Sequence, residues 1–240
     1  IQYVISEGEI FVLEVNPRSS RTVPFLSKIT GVPMANLAMR AILGEKLKDK
    51  GFETGVIPES KNVYTKVPVF SFQKLKDVDT ILGPEMKSTG EVMGSDVNLE
   101  KSLYKALVSA GINVKEQGNI LFTISRKDKE EALELARRFS ELGYALSATE
   151  GTASYFKDNG LKVETVGKIG KSEYSVLDAV YSAKVDVIIN TPNKEKDSAK
   201  DGFKIRRAAS EQGIVCLTSL DTASALLKVM ESMSLNIQSI

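Results

Sequence analysis

The chain has 240 residues, 42% of them hydrophobic, with 32 basic against 31 acidic side chains, one cysteine and no histidine. That length and apolar content can bury a sizeable core in one large domain or two smaller ones. Balanced charge excludes a nucleic-acid partner recruited by bulk electrostatics, and the lack of histidine removes the commonest general base and transition-metal ligand. A single cysteine, Cys216, excludes an internal disulfide and fits a reducing, cytoplasmic setting. It lies in an apolar run, Ile214-Val215-Cys216-Leu217, and reads as core. No apolar run approaches the roughly 18 residues of a spanning helix. No segment reads as a signal peptide, so no membrane partner is expected.

The chain opens without methionine inside an apolar strand, Ile1-Gln2-Tyr3-Val4-Ile5, as expected of a piece of a longer protein. Strands Ile1–Ile5 and Ile10–Val15 flank a Ser6-Glu7-Gly8-Glu9 turn and predict a hairpin over 1–16. Helical spacing follows at 20–29 and at 34–43, the second stopped by Gly44. Residues 62–82 read as short strands, Val63–Val67 and Val69–Phe72, alternating with turns, and Gly83-Pro84 punctuates them. Glu85, Lys87 and Glu91 make the next stretch, to Gly94, read as a solvated polar loop. A helix over 97–110 ends at Gly111.

From Asn119 the pattern becomes regular alternation. Strand Ile120–Ile124 precedes a helix Lys127–Leu142, and strand Tyr144–Ala148 precedes a helix Gly151–Asn159. Strand Lys162–Thr165 leads through a Gly-rich loop to a helix Val176–Ala183. Strand Val185–Asn190 precedes a polar loop and a helix Gly202–Gln212, and strand Ile214–Leu217 a last helix Thr222–Met233. Five strands alternating with five helices predict an α/β domain with a doubly wound, five-stranded parallel sheet. The polar stretch 111–118 sets the expected boundary, between an α+β part at 1–111 and the sheet domain at 112–240.

Two constellations carry chemistry. The first is Leu13-Glu14-Val15-Asn16-Pro17-Arg18-Ser19-Ser20-Arg21. Glu14 and Asn16 are two apart on extended chain and share a face. Two oxygen donors side by side suit a hard Mg²⁺ or Mn²⁺. The hairpin returns Gln2 close to Glu14, and Arg18 and Arg21 can take phosphate oxygens. Divalent metal plus arginine is a phosphoryl-transfer toolkit, although a strand end with solvated charges has the same residues.

Glu14-Val15-Asn16-Pro17-Arg18 followed by a second arginine resembles the metal-binding strand of ATP-grasp ligases. Residues 21–33, Arg-Thr-Val-Pro-Phe-Leu-Ser-Lys-Ile-Thr-Gly-Val-Pro, and the Gly83–Gly94 block resemble the large subunit of carbamoyl phosphate synthetase. That resemblance spans the chain. It implies the end of the second ATP-grasp unit, which phosphorylates carbamate, followed by an allosteric domain. It implies Gln2, Glu14 and Asn16 as ligands of Mg²⁺ or Mn²⁺ with ATP, and Arg18 and Arg21 at the carbamate or phosphate. It also implies a glutaminase small subunit as partner, and that the 240 residues alone turn over nothing.

The second constellation is Thr149-Glu150-Gly151-Thr152, where a strand enters a helix. Gly151 permits close backbone approach, and free N–H groups at a helix start favour an anion. The same residues serve equally as a plain N-cap with nothing bound. Ligands collect at the carboxyl ends of strands in such sheets. Thr149, Asn190 and Thr191 fall at such ends, and Lys129 and Lys168 reach the same edge. Here the chain resembles the methylglyoxal-synthase-like fold of the synthetase allosteric domain. By that match Lys129, Thr149, Thr152, Lys168, Asn190 and Thr191 bind UMP or IMP, and the domain helps build homo-oligomers, with Val180-Tyr181 or the last helix at the interface.

The sequence departs from some relatives at Pro192, where they carry a threonine, so one hydroxyl contact is lost; Lys194 and Lys196 lie nearby, where relatives carry arginines, and suit a more highly charged effector such as phosphoribosyl pyrophosphate. Val67 and Leu217 stand where relatives that bind ornithine carry acids, so strong ornithine binding is not expected, and a pyrimidine-linked enzyme is. The other readings are a free-standing methylglyoxal-synthase-type lyase, which the missing histidine disfavours, and a non-catalytic nucleotide-binding or assembly module. An effector at Thr149–Thr152 is expected to order residues 167–175 and act through 66–118 on the metal site at Glu14.

Overall fold

The computed structural model describes residues 1–52, 55–72, 80–81, 85–113, 115–192 and 196–235, without the side chains of 196–199 and 234–235. Lys194, the Lys196 side chain, the Gly83-Pro84 turn and the strand-and-turn reading of 73–79 lie outside the described residues. The chain forms two compact units, Ile1–Lys61 and Asn62–Ile240.

The first unit begins with the antiparallel hairpin of β1 (Gln2–Ser6) and β2 (Glu9–Glu14). The turn has two residues, shorter than the four expected, because Glu7 (φ 52°) and Gly8 (φ 83°) both take left-handed backbone. Two such residues make a type I′ turn, whose twist matches that of the strands it joins. Helices α1 (Thr22–Thr30) and α2 (Met34–Ile42) follow, at the expected places.

The second unit opens with β3 (Val63–Val69) and β4 (Gly90–Asp96), paired antiparallel from Val63↔Asp96 to Val69↔Gly90. This corrects two expectations. Val63–Val69 is one strand running through Pro68, and Gly90–Asp96 is a strand instead of a polar loop. The reason is the helix α3 (Leu99–Ser109), which packs on both strands. At Gly94 a Cβ would run into the Ser102 carbonyl and lie 2.8 Å from the Ala106 nitrogen, so only glycine lets α3 settle there. Ser102 is fully buried, and its hydroxyl meets that of Thr65 at 2.9 Å. Asn98 caps α3, its side chain accepting from the Lys101 N–H at 3.0 Å.

The expected sheet follows. Strands β5 (Asn119–Thr123), β6 (Ala145–Thr149), β7 (Glu164–Val166), β8 (Val187–Asn190) and β9 (Val215–Leu217) lie in the order β7-β6-β5-β8-β9, all parallel. The helices are α4 (Lys129–Glu141), α5 (Glu150–Asp158), α6 (Val176–Tyr181), α7 (Lys196–Gln212) and α8 (Leu220–Leu235). Side chains alternate across the sheet with period two. Ile120, Phe122 and Ile189 join α4, α5 and α8 in one core. Leu121 and Ile188 join α6 and α7 in the other. Cys216 is half-buried against that second core, and Val180 is fully buried in it, while Tyr181 is exposed.

Helix α7 starts well before the Gly202 expected from sequence. Gly202 sits inside it because the Arg206 guanidinium packs over it, 2.9 Å from where a Cβ would be.

The amino edge of the sheet is pinned by Asp186. Its carboxylate accepts from the Asn119 N–H at 2.9 Å and pairs with Lys115 at 2.7 Å, and Gly118 leaves it room. The Tyr144 hydroxyl donates to the Lys115 carbonyl, and burial pushes its pKa up to about 12. Burial also raises the pKa of Asp186, but Lys115 and the Asn119 N–H outweigh it and hold the carboxyl below its ordinary 3.8. A depressed pKa stabilises the fold above pH 3.8 and loses that contribution as pH falls through the folded value. Asp186→Asn keeps an acceptor for Asn119 but removes the charge. It is expected to cost about 0.5–1 kcal/mol at pH 7, since Lys115 is largely exposed, and progressively less below pH 3.8. Urea denaturation at both pH values checks this; an equal loss at pH 3 and pH 7 contradicts it.

Candidate functional site

β5 runs to β6 on one side while β8 lies on its other side, so the strand order reverses between β5 and β8. Open α/β sheets bind ligands beyond the carboxyl ends of the strands at such a point. There the structure has a cleft of about 810 Å³. The residues singled out as a nucleotide site, Lys129, Thr149, Thr152, Lys168, Asn190 and Thr191, all line it.

Their local roles differ. Thr149 occupies the N-cap of α5 with extended backbone (φ −63°, ψ 149°), yet its side chain makes no capping bond. The plain-cap alternative is therefore not realised, and the hydroxyl is left to the cleft. Thr152 is buried, and its oxygen accepts from the Ile124 N–H at 3.3 Å. Thr191 is buried and accepts from the Ser125 N–H at 2.7 Å. Asn190, also buried, donates to the Thr123 hydroxyl at 2.8 Å and accepts from Arg206 at 2.8 Å. Lys129 donates to the Gly151 carbonyl and lies over the Tyr155 ring. Lys168 is exposed at the cleft.

Sequence reasoning missed Arg126, Lys171, Lys200, Lys204 and Arg206, which also line the cleft. Among the described residues its lining thus carries seven cations, these five with Lys129 and Lys168, against one acid, Asp201. Three of the missed residues lie on α7, whose length was underestimated. The signal was the three-residue spacing of Ala199, Gly202 and Ile205 within Lys196–Gln212, which carries one helical face back past Gly202. Ile81, between β3 and β4, adds an apolar wall, and Lys87 holds its carbonyl at 2.7 Å. Pro192 lines the cleft too. Val67 is on β3 and Leu217 is buried at the end of β9.

The first constellation belongs to the hairpin. Gln2 stands opposite Glu14 in the register, next to an irregularity between Gln2 and Tyr3. Asn16 donates its amide to Glu14 Oε1 at 2.9 Å. Arg18 donates to the Ser19 carbonyl at 3.2 Å, and Arg21 is the residue before α1; both are exposed. One carboxylate and two amide groups at one hairpin end fit a hard cation as a partial shell, with Asn16 turning its oxygen inward. Mg²⁺ takes six oxygens, commonly filled out by water and substrate phosphates. Among the described residues no cluster of three or more acidic, histidine or cysteine side chains could hold a metal by itself.

Residues 131–218 match the family model of the MGS-like domain. The α/β fold with its five-stranded parallel sheet is thus that of an MGS-like, Rossmann-like domain. Residues 1–50 match the model of the carbamoyl-phosphate synthase L chain, ATP binding domain, so the first unit carries a fragment of that domain. A solved structure titled "Crystal structure of ForH" is 18% identical over 48% of this chain and 78% of that one, with a TM-score of 0.39, too low to carry an argument. Among the described residues no helix is long and apolar enough to cross a membrane.

Proposed function

We propose that this chain is the C-terminal part of a carbamoyl phosphate synthetase large subunit, and that the cleft is its effector site for a phosphorylated nucleotide of the UMP type. The cationic cleft at the switch point, lined by all six residues chosen for that ligand, carries the reading. The order of the two matched domains supports the parent enzyme. In this reading the parent is an ATP-dependent, glutamine-using ligase of pyrimidine synthesis, with a glutaminase small subunit as partner. Gln2, Glu14 and Asn16 contribute to its Mg²⁺ or Mn²⁺ site, and Arg18 and Arg21 meet the carbamate or phosphate. The regulatory domain proper begins at residue 112, and homo-oligomers form through it. β3, β4 and α3 form a connecting layer, and Ile81, between the two strands in sequence, gives the effector a direct contact beside it.

The chemistry of the cleft suits binding better than catalysis. With no histidine in the chain and Asp201 the one acid among the described residues of its lining, a lyase has little to act as a base. The test is a thermal-shift series with UMP, IMP and phosphoribosyl pyrophosphate. A ligand that binds only the folded state, present at 100 times its Kd, stabilises by about 2.7 kcal/mol. At least one of the three is expected to raise the melting temperature in a saturable way. No shift with any of them at millimolar concentration removes the effector-site reading.

A further inference from the structure

We infer that Lys87, in the Gly83–Gly94 block to which the effector reading gives no role, is a positioning residue: its ammonium ties Ile81, on the cleft wall, to the entry of β4, so that the β3–β4–α3 layer senses what occupies the cleft. The sensing rests on the nucleotide reading of the cleft; the tie does not.

β3 ends at Val69 and β4 begins at Gly90, so a long connection separates two strands that pair directly. Most connections in compact units are far shorter, and the long ones tend to carry function. Where this one returns, it is pinned to the end of β3. The Thr89 N–H donates to the Val69 carbonyl at 2.8 Å, and the Thr89 and Ser71 hydroxyls meet at 2.9 Å. Lys87 comes two residues before Thr89 and is half-buried. Its ammonium donates to the Ile81 carbonyl at 2.7 Å, six residues back along the chain. Ile81 lines the cleft and Lys87 does not. A half-buried ammonium needs acceptors, because desolvating an unpaired charge is costly. It can only donate, and a carbonyl can only accept, so the direction of this bond is fixed. Hydrogen bonds from a charged donor are among the stronger ones. Arginine at position 87 could make the same bond; an apolar side chain could not.

The entry of β4 cannot move by itself. β4 pairs with β3 along its whole length, from Val69↔Gly90 to Val63↔Asp96. α3 packs on both strands, against Gly94 where no Cβ fits beside the Ser102 carbonyl, and the buried Ser102 hydroxyl meets that of Thr65 at 2.9 Å. Close-packed elements transmit a displacement instead of absorbing it. α3 also packs on α8 of the sheet domain, away from the cleft lining. Among the described lining residues, Ile81 is the one that precedes β5 in the chain. A ligand in the cleft therefore meets the layer at Ile81, and Lys87 carries that contact to β4. Linkage makes the tie reciprocal. Whatever Lys87 contributes to the occupant through Ile81, the occupant returns as protection of the tie and of the β4 entry.

The experiment is amide hydrogen exchange, read residue by residue on the 240-residue chain, together with calorimetric titration of UMP, for the wild type, Lys87→Met, Lys87→Arg and Ile81→Ala. The reporter is the Thr89 N–H, and the amides of β5 report global stability. Without ligand, Lys87→Met is expected to speed exchange at Thr89 about tenfold or more, as the loss of one hydrogen bond from a charged group permits local opening. Exchange in β5 should stay unchanged, and Lys87→Arg should keep wild-type protection. UMP is expected to slow Thr89 exchange in the wild type. Lys87→Met and Ile81→Ala should each bind UMP about fivefold or more weakly, the low end of typical couplings between sites. Wild-type exchange at Thr89 in ligand-free Lys87→Met overturns the tie. So does failure of Lys87→Arg to protect Thr89, or an equal acceleration in β5, which would make Lys87 a matter of global stability. Unchanged UMP affinity in both weakening variants, or UMP that binds without slowing Thr89 exchange, overturns the sensing and leaves the nucleotide reading intact. Absence of UMP binding by the wild type removes that reading and the sensing with it, while the ligand-free exchange still decides the tie.

Discussion

Phe122→Ala is expected to destabilise the second unit by about 3–5 kcal/mol, the range for removing a buried aromatic ring from a core. Phe122 is fully buried on β5, the central strand of the sheet. Its ring meets Phe139 of α4 at 6.5 Å and Phe156 of α5 at 5.5 Å, both edge to face. Such pairs add about 0.5–1.5 kcal/mol beyond area burial, so truncation removes two of these contacts and leaves a cavity between helices and sheet. A domain of this kind has roughly 5–15 kcal/mol in all, and the variant therefore loses a large share of it. The effect reaches the cleft as well. The next residues, Thr123 and Ile124, form its floor, and the Ile124 N–H holds Thr152. Chemical denaturation of the variant beside the wild type reads the loss directly; a change under 1 kcal/mol contradicts the central position assigned to this ring.

Most of the sheet domain was legible because its signals are local. Strands such as Ile120–Thr123 are short apolar runs, and each is followed by a helix with its own period. Strand and helix starts fell within a few residues of those expected, apart from α7. There Lys196 to Asp201 carries no large apolar side chain, and Gly202 imitates a helix boundary. Gly202 is explained only by Arg206 stacking on it, a contact that no periodicity reveals. The Gly90–Asp96 strand was hidden in the same way. Its glycines and charges read as loop, and the reason for Gly94 is the approach of α3, known only once the helix is in place. For the site, strand ends pointed to Thr149, Asn190 and Thr191, since a parallel sheet brings such ends together. What could not be read was which of these side chains support the fold and which are left over for a ligand. Thr152 and Thr191 each hold a backbone N–H of the β5 end, and the Thr149 hydroxyl makes no capping bond.

That difference separates two otherwise similar substitutions. Thr149→Val is expected to weaken UMP binding about 10- to 150-fold, the loss of one hydrogen bond to a charged group at about 1.5–3 kcal/mol. It should leave the denaturation midpoint unchanged, because the hydroxyl caps nothing and valine keeps the extended backbone of a strand end. Thr152→Val removes a similar donor from the cleft, but it also strands the Ile124 N–H, which is buried at its partner. An unsatisfied buried donor costs about 1–3 kcal/mol of stability, so this variant should lose affinity and midpoint together. Calorimetry for binding and urea denaturation for stability, run on both variants, give four numbers with one expected pattern. If Thr149→Val binds as the wild type does while Thr152→Val loses stability, Thr149 makes no ligand contact, and the anion sits further toward Lys168. If Thr149→Val loses stability as well, its hydroxyl has a structural partner, and its assignment to the ligand fails.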